Sequence, residues 1–151
     1  IEAGLPLYGH ELAGPLALNP ADAGMGNYVK LYKPFFVGKQ AFIAHGLERD
    51  AQIVRFQMDA KGARPAHQGD PVIDSRGRVV GIVTSCATDA DGHQLGQAYV
   101  KLGHGKRGSE LAVYAGSSRA KASDLASLSM GDRAPMPEPI TVLTRFPKKR
   151  K

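Results

Sequence analysis

Few residues in this sequence have a type and spacing suited to chemistry. Its single cysteine, Cys86, ends an apolar stretch with no histidine nearby in sequence, a pattern that favours a buried structural thiol over a nucleophile. The five histidines lack the spacing of metal ligands, and no Gly-x-Ser-x-Gly or phosphate-binding glycine loop is present. The remaining candidate is the carboxylate of Glu2, in the sequence Ile-Glu-Ala-Gly. Taken alone, this acidic residue indicates no particular activity.

The composition is that of a globular protein, with 42% hydrophobic and 23% charged residues in 151. No apolar run reaches the length of a membrane span, and no apolar segment follows a basic start, so we expect neither a span nor a secretory signal. One cysteine excludes an internal disulfide framework and is compatible with a reducing compartment. We therefore expect a cytoplasmic location and no membrane partner.

The formal net charge is +6, and four basic residues form a tail at 148–151. We interpret this basic run as a solvated terminus. Nucleic acid is a less favoured partner because the sequence lacks tryptophan and a run of aromatic residues interleaved with basic ones. A protein that binds nucleic acid through this basic tail remains an alternative.

The pattern of apolar residues predicts a mainly β protein: a small β-barrel at residues 49–151, preceded by a mixed α/β segment at residues 1–48. Turn signals and β-branched runs recur at roughly ten-residue spacing in the second part. We expect an insertion at about 120–139 because that stretch shows no clean period. The predicted elements are a helical turn at 19–24, an extended segment at 28–32, an amphipathic helix at 39–48, a strand at 51–58, a hairpin at 71–85 and strands at 94–100, 110–114 and 140–145.

The sequence resembles the glycine cleavage T-protein (aminomethyltransferase) family. Residues 1–12 (IEAGLPLYGHEL) are similar to the family's Arg-Leu-Glu-Ala-Gly motif and the Leu-Tyr-Gly that follows it. Four further segments keep the family order: residues 33–42 (KPFFVGKQAF), 69–72 (GDPV), 81–85 (GIVTS) and 96–100 (GQAYV). Each match alone is short, but five in the family order span most of residues 1–115.

The resemblance implies that this chain is the C-terminal part of such an enzyme, with residues 1–48 forming the end of the folate-binding region. The family's catalytic aspartate lies upstream of the match, so we expect no catalytic residue in this chain and a missing folate domain on the same or a separate chain. The start at Ile1 rather than methionine agrees with this expectation. By the resemblance, Glu2 binds the donor edge of the pterin ring of tetrahydrofolate, and Lys33 is the nearest candidate for an assisting basic residue. A lysine in this position also has the simpler interpretation of a solvated side chain.

The expected activity is transfer of a one-carbon unit from an aminomethyl or methyl donor, small or lipoyl-carried, to tetrahydrofolate. Two departures from the family pattern favour a divergent methyltransferase or a demethylase of amines, sulfonium compounds or aryl ethers. They are the sequence at residues 84–89 (TSCATD) and the insertion at 120–139. A related branch linked to iron–sulfur clusters has a Lys-Gly-Cys-Tyr motif, and residues 33–36 (KPFF) lack its cysteine. A non-catalytic β-barrel interaction module is the alternative from a different class.

Overall fold

The structure is a computed structural model that describes residues 1, 3–116 and 136–144. Six strands form a closed barrel in the order β1-β4-β3-β2-β5-β6, and every neighbouring pair is antiparallel. The prediction of a mainly β fold with a small barrel is confirmed. The bounds are α1 (Lys39–Glu48), β1 (Ala51–Met58), β2 (Pro71–Asp74), β3 (Val79–Thr88), β4 (Gln94–Lys101), β5 (Glu110–Val113) and β6 (Glu138–Leu143).

Alternate residues of each strand face the barrel interior, and these inward-facing residues are mostly apolar. On β1 these residues are Val54, Phe56 and Met58. The Phe56 ring lies against Gly96 of β4, where a Cβ atom would overlap the ring. A glycine at this strand position therefore makes room for the largest side chain of the core.

The predicted hairpin at residues 71–85 forms from β2 and β3. Its turn is held by Asp74, whose carboxylate accepts the backbone N–H groups of Arg76 and Arg78, each at 2.9 Å. Gly77 has a φ of 74°, a left-handed conformation that favours glycine. These backbone bonds, first of all that of Arg78, lower the pKa of Asp74.

The N-terminal segment, residues 1–48, lies outside the barrel strands. Its predicted turn at residues 19–24 is present: Asn19 Oδ1 accepts the N–H groups of Ala21 (2.7 Å) and Asp22 (3.2 Å), and Gly24 adopts a φ of 73°. The extended segment predicted at 28–32 is wrong. A 3-10 turn occupies Gly26–Tyr28, and the six-stranded barrel is closed, so it offers no free edge with which another strand could pair.

Helix α1 has the predicted bounds but not the predicted amphipathic packing. None of its residues is buried, and Leu47 is 86% exposed. Its polar contacts with the rest of the described chain come from Lys39 at its N-terminal end, and from His45 and the following Arg49 at its C-terminal end. No helix in the described part of the chain is long and apolar enough to cross a membrane.

The predicted insertion at 120–139 lies outside the described residues up to position 135, and so does the basic tail at 148–151. The last strand begins at Glu138, two residues before the prediction, and ends at Leu143. Position 145, where the prediction ends, is also outside the described residues.

Candidate functional site

The chain that follows Glu2 is attached to the barrel wall. Glu2 itself lies outside the described residues. The N–H of Gly4 donates to the carbonyl of Ile1 at 2.6 Å, and the Gly4 carbonyl accepts Nη2 of Arg55 at 2.6 Å. Gly4 is buried, with a φ of 65°, and a Cβ atom there would lie 2.6 Å from Nε of Arg55. The positive φ therefore favours glycine here, and the Arg55 side chain fills the space beside it.

Three polar side chains form a row across the outer wall of the barrel, which we call the polar row. Arg55 of β1 is the register partner of Gln97 on β4, and Gln97 is the register partner of Ser85 on β3. Each contacts the N-terminal segment: Arg55 donates to Gly4, Gln97 Nε2 donates to the Leu5 carbonyl at 3.1 Å, and Ser85 donates to the Glu11 carboxylate at 2.6 Å. The polar row therefore crosses three adjacent strands and binds residues 4–11.

Glu11 is a fully buried carboxylate at the end of this row. Its Oε1 accepts the Ser85 hydroxyl, and its Oε2 accepts the N–H of Leu7 at 2.9 Å. Beside it, Nδ1 of His10 lies 3.1 Å from the carbonyl of Thr84. The carboxylate thus folds residues 7–11 into a compact loop and fastens that loop to β3.

A second buried carboxylate, Asp22, joins the turn at 19–24 to helix α1 and to β1. Its Oδ2 accepts the N–H of Asn19 and faces Nε2 of His45, each at 2.8 Å. Nε of Arg49 lies 3.9 Å from Oδ1, and the backbone carbonyl of Asp22 accepts the N–H of Ile53. A buried carboxylate needs such partners, since an unpaired buried charge is costly.

Lys33, the second residue singled out from the sequence, is exposed. Its backbone carbonyl accepts Nζ of Lys39 at 2.7 Å. Its own ammonium group makes no hydrogen bond or ion pair with any described residue. The pairing of Lys33 with Glu2 in one site stays a prediction.

Apolar side chains that contribute little to the core are concentrated in the N-terminal segment. Between residues 28 and 37 the exposed ones are interleaved with the exposed lysines Lys30 and Lys33. We call residues 28–37 the exposed apolar stretch. An exposed concentration of large apolar side chains is typical of a surface that another protein region covers. The exposed large apolar residues of the N-terminal segment are Ile1, Leu5, Leu7, Tyr8, Tyr28, Leu31, Tyr32, Phe35, Val37, Ile43 and Leu47.

Elsewhere in the described chain, the cysteine thiol and the two cavities lie among residues of the barrel and its flanks. Cys86 is half-buried, its Sγ lies 3.3 Å from Oε1 of Gln94, and burial raises its pKa to about 11. A cavity of about 260 Å³ lies beside Tyr99, and one of about 300 Å³ lies beside Glu110. Both are lined by barrel residues and their flanks only. Among the described residues, no three His, Cys, Asp or Glu side chains come together as metal ligands.

The fold and the contacts define a class of protein. It is a small antiparallel barrel whose outer wall holds an N-terminal segment through polar hydrogen bonds. The model of the glycine cleavage T-protein C-terminal barrel domain family matches residues 52–127. The chain belongs to this family, and the resemblance seen in the sequence is confirmed.

The sequence of this chain is similar to the C-terminal part of curated relatives. An aminomethyltransferase of Saccharopolyspora erythraea is 41% identical over 117 residues, which is 75% of this chain and 30% of the relative. One of Streptomyces avermitilis is 40% identical over 112 residues, 72% of this chain and 29% of the relative. The matched part of this chain therefore spans a little under a third of these relatives.

A crystal structure of the glycine cleavage system aminomethyltransferase T from Bartonella henselae has the same fold. The TM-score is 0.71 at 20% identity, and the match covers 97% of this chain and 38% of that one. The coverage includes the N-terminal segment as well as the barrel. At this identity the likeness establishes the fold alone.

Proposed function

We propose that this chain is the C-terminal region of a tetrahydrofolate-dependent aminomethyltransferase, which transfers a one-carbon unit from an aminomethyl or methyl donor to tetrahydrofolate. The observation that carries the proposal is the fastening of the chain around Glu2 to the barrel wall, through the carbonyls of Gly4 and Leu5. The names of the 41% and 40% identical relatives support the choice of reaction.

In this proposal the Glu2 carboxylate receives the donor edge of the pterin ring. That edge presents a ring N–H beside an exocyclic amine, and a carboxylate accepts both in two parallel hydrogen bonds. The pair fixes the orientation of the ring as well as its position. Because Gly4 is already bonded to Ile1 and to Arg55 of the barrel, less conformational entropy is lost when the ligand binds.

Lys33 has a secondary role in the proposal. Tetrahydrofolate carries carboxylates on its glutamate tail, and an exposed ammonium group attracts them. The side chain is available for this contact because it has no hydrogen bond or ion pair within the described residues. Bound tetrahydrofolate would supply the nitrogen that accepts the one-carbon unit.

We assign the remainder of the site to a folate-binding region outside this chain, whose matched part spans under a third of the relatives' length. The exposed apolar stretch at 28–37 fits this occupant, since it belongs to a segment that the barrel leaves largely uncovered. The proposed region would supply the catalytic base and most of the pterin pocket. The donor, lipoyl-carried or a small molecule, would enter opposite the pterin.

The test is a chimera in which this chain replaces the matching C-terminal part of the Saccharopolyspora enzyme. Tetrahydrofolate is titrated anaerobically, and aminomethyl transfer is assayed in the same samples. We expect Glu2→Gln to weaken binding about tenfold to a hundredfold, because the pterin edge loses a charged acceptor. Glu48→Gln, an exposed glutamate at the end of α1, is the matched control and should bind as the unmodified chimera does.

For Lys33 the matched pair is Lys33→Met and Lys30→Met, both at exposed positions of the same stretch. We expect Lys33→Met to weaken binding several-fold and Lys30→Met to leave it unchanged. A Glu2→Gln chimera that binds folate as tightly as the unmodified one would contradict the role of Glu2. A folded chimera that binds no folate at all would favour the interaction module instead.

A further inference from the structure

The cavity of about 260 Å³ beside Tyr99 lies where β3 begins and β4 ends. Its lining is mostly apolar and comes largely from these two neighbouring strands, on which Ile82 and Tyr99 are register partners. Val79, another lining residue, is 61% exposed, so the cavity opens to solvent. An apolar concavity with a few polar groups beside it is the usual form of a small-molecule site.

Two groups of opposite charge lie at one end of this cavity. Asp50 directly precedes β1, and Lys101 ends β4. Lys101 is the register partner of Ala51, and the Asp50 carbonyl accepts the N–H of Leu102 at 2.8 Å, so the two charged residues are neighbours across the strand ends. Both are exposed, and neither side chain makes a hydrogen bond or ion pair with any described residue. The carboxylate and the ammonium group are therefore both available to a ligand.

Tyr99 joins the apolar and the charged parts of the cavity. Burial raises the pKa of its hydroxyl, and the negative charges of Asp22 and Asp50 raise it further. The Asp50 carboxylate therefore acts on a part of the wall that is partly removed from water. Attraction between opposite charges is stronger in such a place than in bulk water.

We propose that this cavity binds a small apolar amino acid as its zwitterion. The Asp50 carboxylate receives the ammonium group of the ligand, and the Lys101 ammonium group receives its carboxylate. The apolar side chain of the ligand lies against Ile82 and Tyr99. The volume is below the range of about 300–1,000 Å³ that is typical of drug-sized ligands, which favours a ligand of amino-acid size. The site involves neither Glu2 nor Lys33, so it does not depend on the proposed function.

The first test titrates the chain with L-phenylalanine and follows its amide NMR spectrum. We expect the signals of Val79, Ile82 and Lys101 to shift, with a dissociation constant in the millimolar range because the ligand is small and the cavity is open. Phenethylamine lacks the carboxylate and 3-phenylpropionate lacks the ammonium group. Each should bind about threefold to fivefold more weakly than the amino acid. Absence of these shifts, or equal binding of the three compounds, would overturn the inference.

The second test assigns each charge with a variant. Lys101→Met should abolish the preference for L-phenylalanine over phenethylamine and keep the preference over 3-phenylpropionate, whereas Asp50→Asn should do the reverse. Lys106→Met in the β4–β5 loop and Asp91→Asn in the β3–β4 loop are matched controls at exposed positions and should keep both preferences. All four changes are at exposed positions, where substitutions have little effect on folding. Unchanged preferences in Lys101→Met and Asp50→Asn would overturn the inference.

The third test asks whether a protein region covers the cavity instead. The chimera described above contains the upstream region of the Saccharopolyspora enzyme, and we expect it to bind L-phenylalanine with the same dissociation constant as the chain alone. Binding by the chain but not by the chimera would show that the cavity is an interface and would overturn the inference. Folate binding by the same chimera tests the proposed function separately.

Discussion

The barrel and the N-terminal segment are held together by different forces. The barrel core is a closed apolar cluster that includes Phe56, Met58 and Val83, all fully buried. The N-terminal segment instead depends on two buried carboxylates, Glu11 and Asp22, and on the polar row. It leaves most of its large apolar side chains exposed. The barrel therefore buries its own apolar side chains, whereas the segment presents an apolar surface on which a further region can pack.

The largest expected difference in the free energy of unfolding is between a phenylalanine truncated in the barrel and one truncated in the N-terminal segment. We expect Phe56→Ala to lower the free energy of unfolding by about 3–5 kcal/mol, because it empties the centre of the barrel. Phe35→Ala, at a position that is 80% exposed, should change it by less than about 0.5 kcal/mol. Urea denaturation followed by circular dichroism measures both. Similar losses in the two variants would refute the contrast between the regions.

The thiol of Cys86 provides a chemical comparison. Burial raises its pKa to about 11, so at pH 8 we expect alkylation by iodoacetamide about 100-fold slower than at an ordinary exposed thiol. The comparison variant combines Cys86→Ser with Val37→Cys, which puts the thiol on the exposed apolar stretch. Mass spectrometry measures both alkylation rates. Equal rates would contradict the expected protection of the Cys86 thiol by burial in β3.

Asp22 tests whether polar contacts hold the segment. Asp22→Asn removes the charge that faces His45 and Arg49, and we expect local opening of residues 19–24 to become easier by about 1–3 kcal/mol. Amide exchange at Ala23 measures this opening. The barrel amides should keep their protection in this variant. Asp91→Asn, in the exposed β3–β4 loop, is the control; a barrel destabilised as much as the segment would contradict the separation of the two regions.

The smallest effect concerns the β2–β3 turn at low pH. The N–H of Arg78 is the main group that lowers the pKa of Asp74. A carboxylate with a lowered pKa stabilises the fold above its unfolded pKa of about 3.9, and this contribution is lost as the pH falls through the folded value. The free energy of unfolding should therefore fall less between pH 6 and pH 3 in Asp74→Asn than in the wild type. Identical changes in the two proteins would rule out this role of the turn.

The regular elements could be predicted from local sequence because local pattern determines them. Helix α1 and β1 were expected at the residues where they occur, and the hairpin was marked by β-branched runs around a turn that contains Gly77. The extended segment expected at 28–32 did not form because alternation alone does not provide a pairing edge. The amphipathic packing expected of α1 failed because a local pattern does not show whether the rest of the chain offers an apolar surface to that face, and none of the helix residues is buried.

The contacts around the candidate site could not be predicted in this way. Arg55 and Gln97 are separated from their N-terminal partners by 51 and 92 positions, and only the barrel register brings them together. Asp22 had been identified as part of a turn, but nothing local indicated its contact with His45. Glu11 lay inside the matched motif of residues 1–12 without a role of its own. The roles of Glu2 and Lys33 stay predictions.

Folate affinity of the isolated chain, compared with that of the chimera, tests the central claim most directly. Both proteins are titrated with tetrahydrofolate by anaerobic calorimetry under the same conditions. The account predicts weak or no binding by the chain alone, because the proposed roles of Glu2 and Lys33 supply only part of a folate site, and clear binding by the chimera that depends on Glu2. Micromolar binding by the isolated chain, or binding by the chimera that ignores Glu2→Gln, would contradict it.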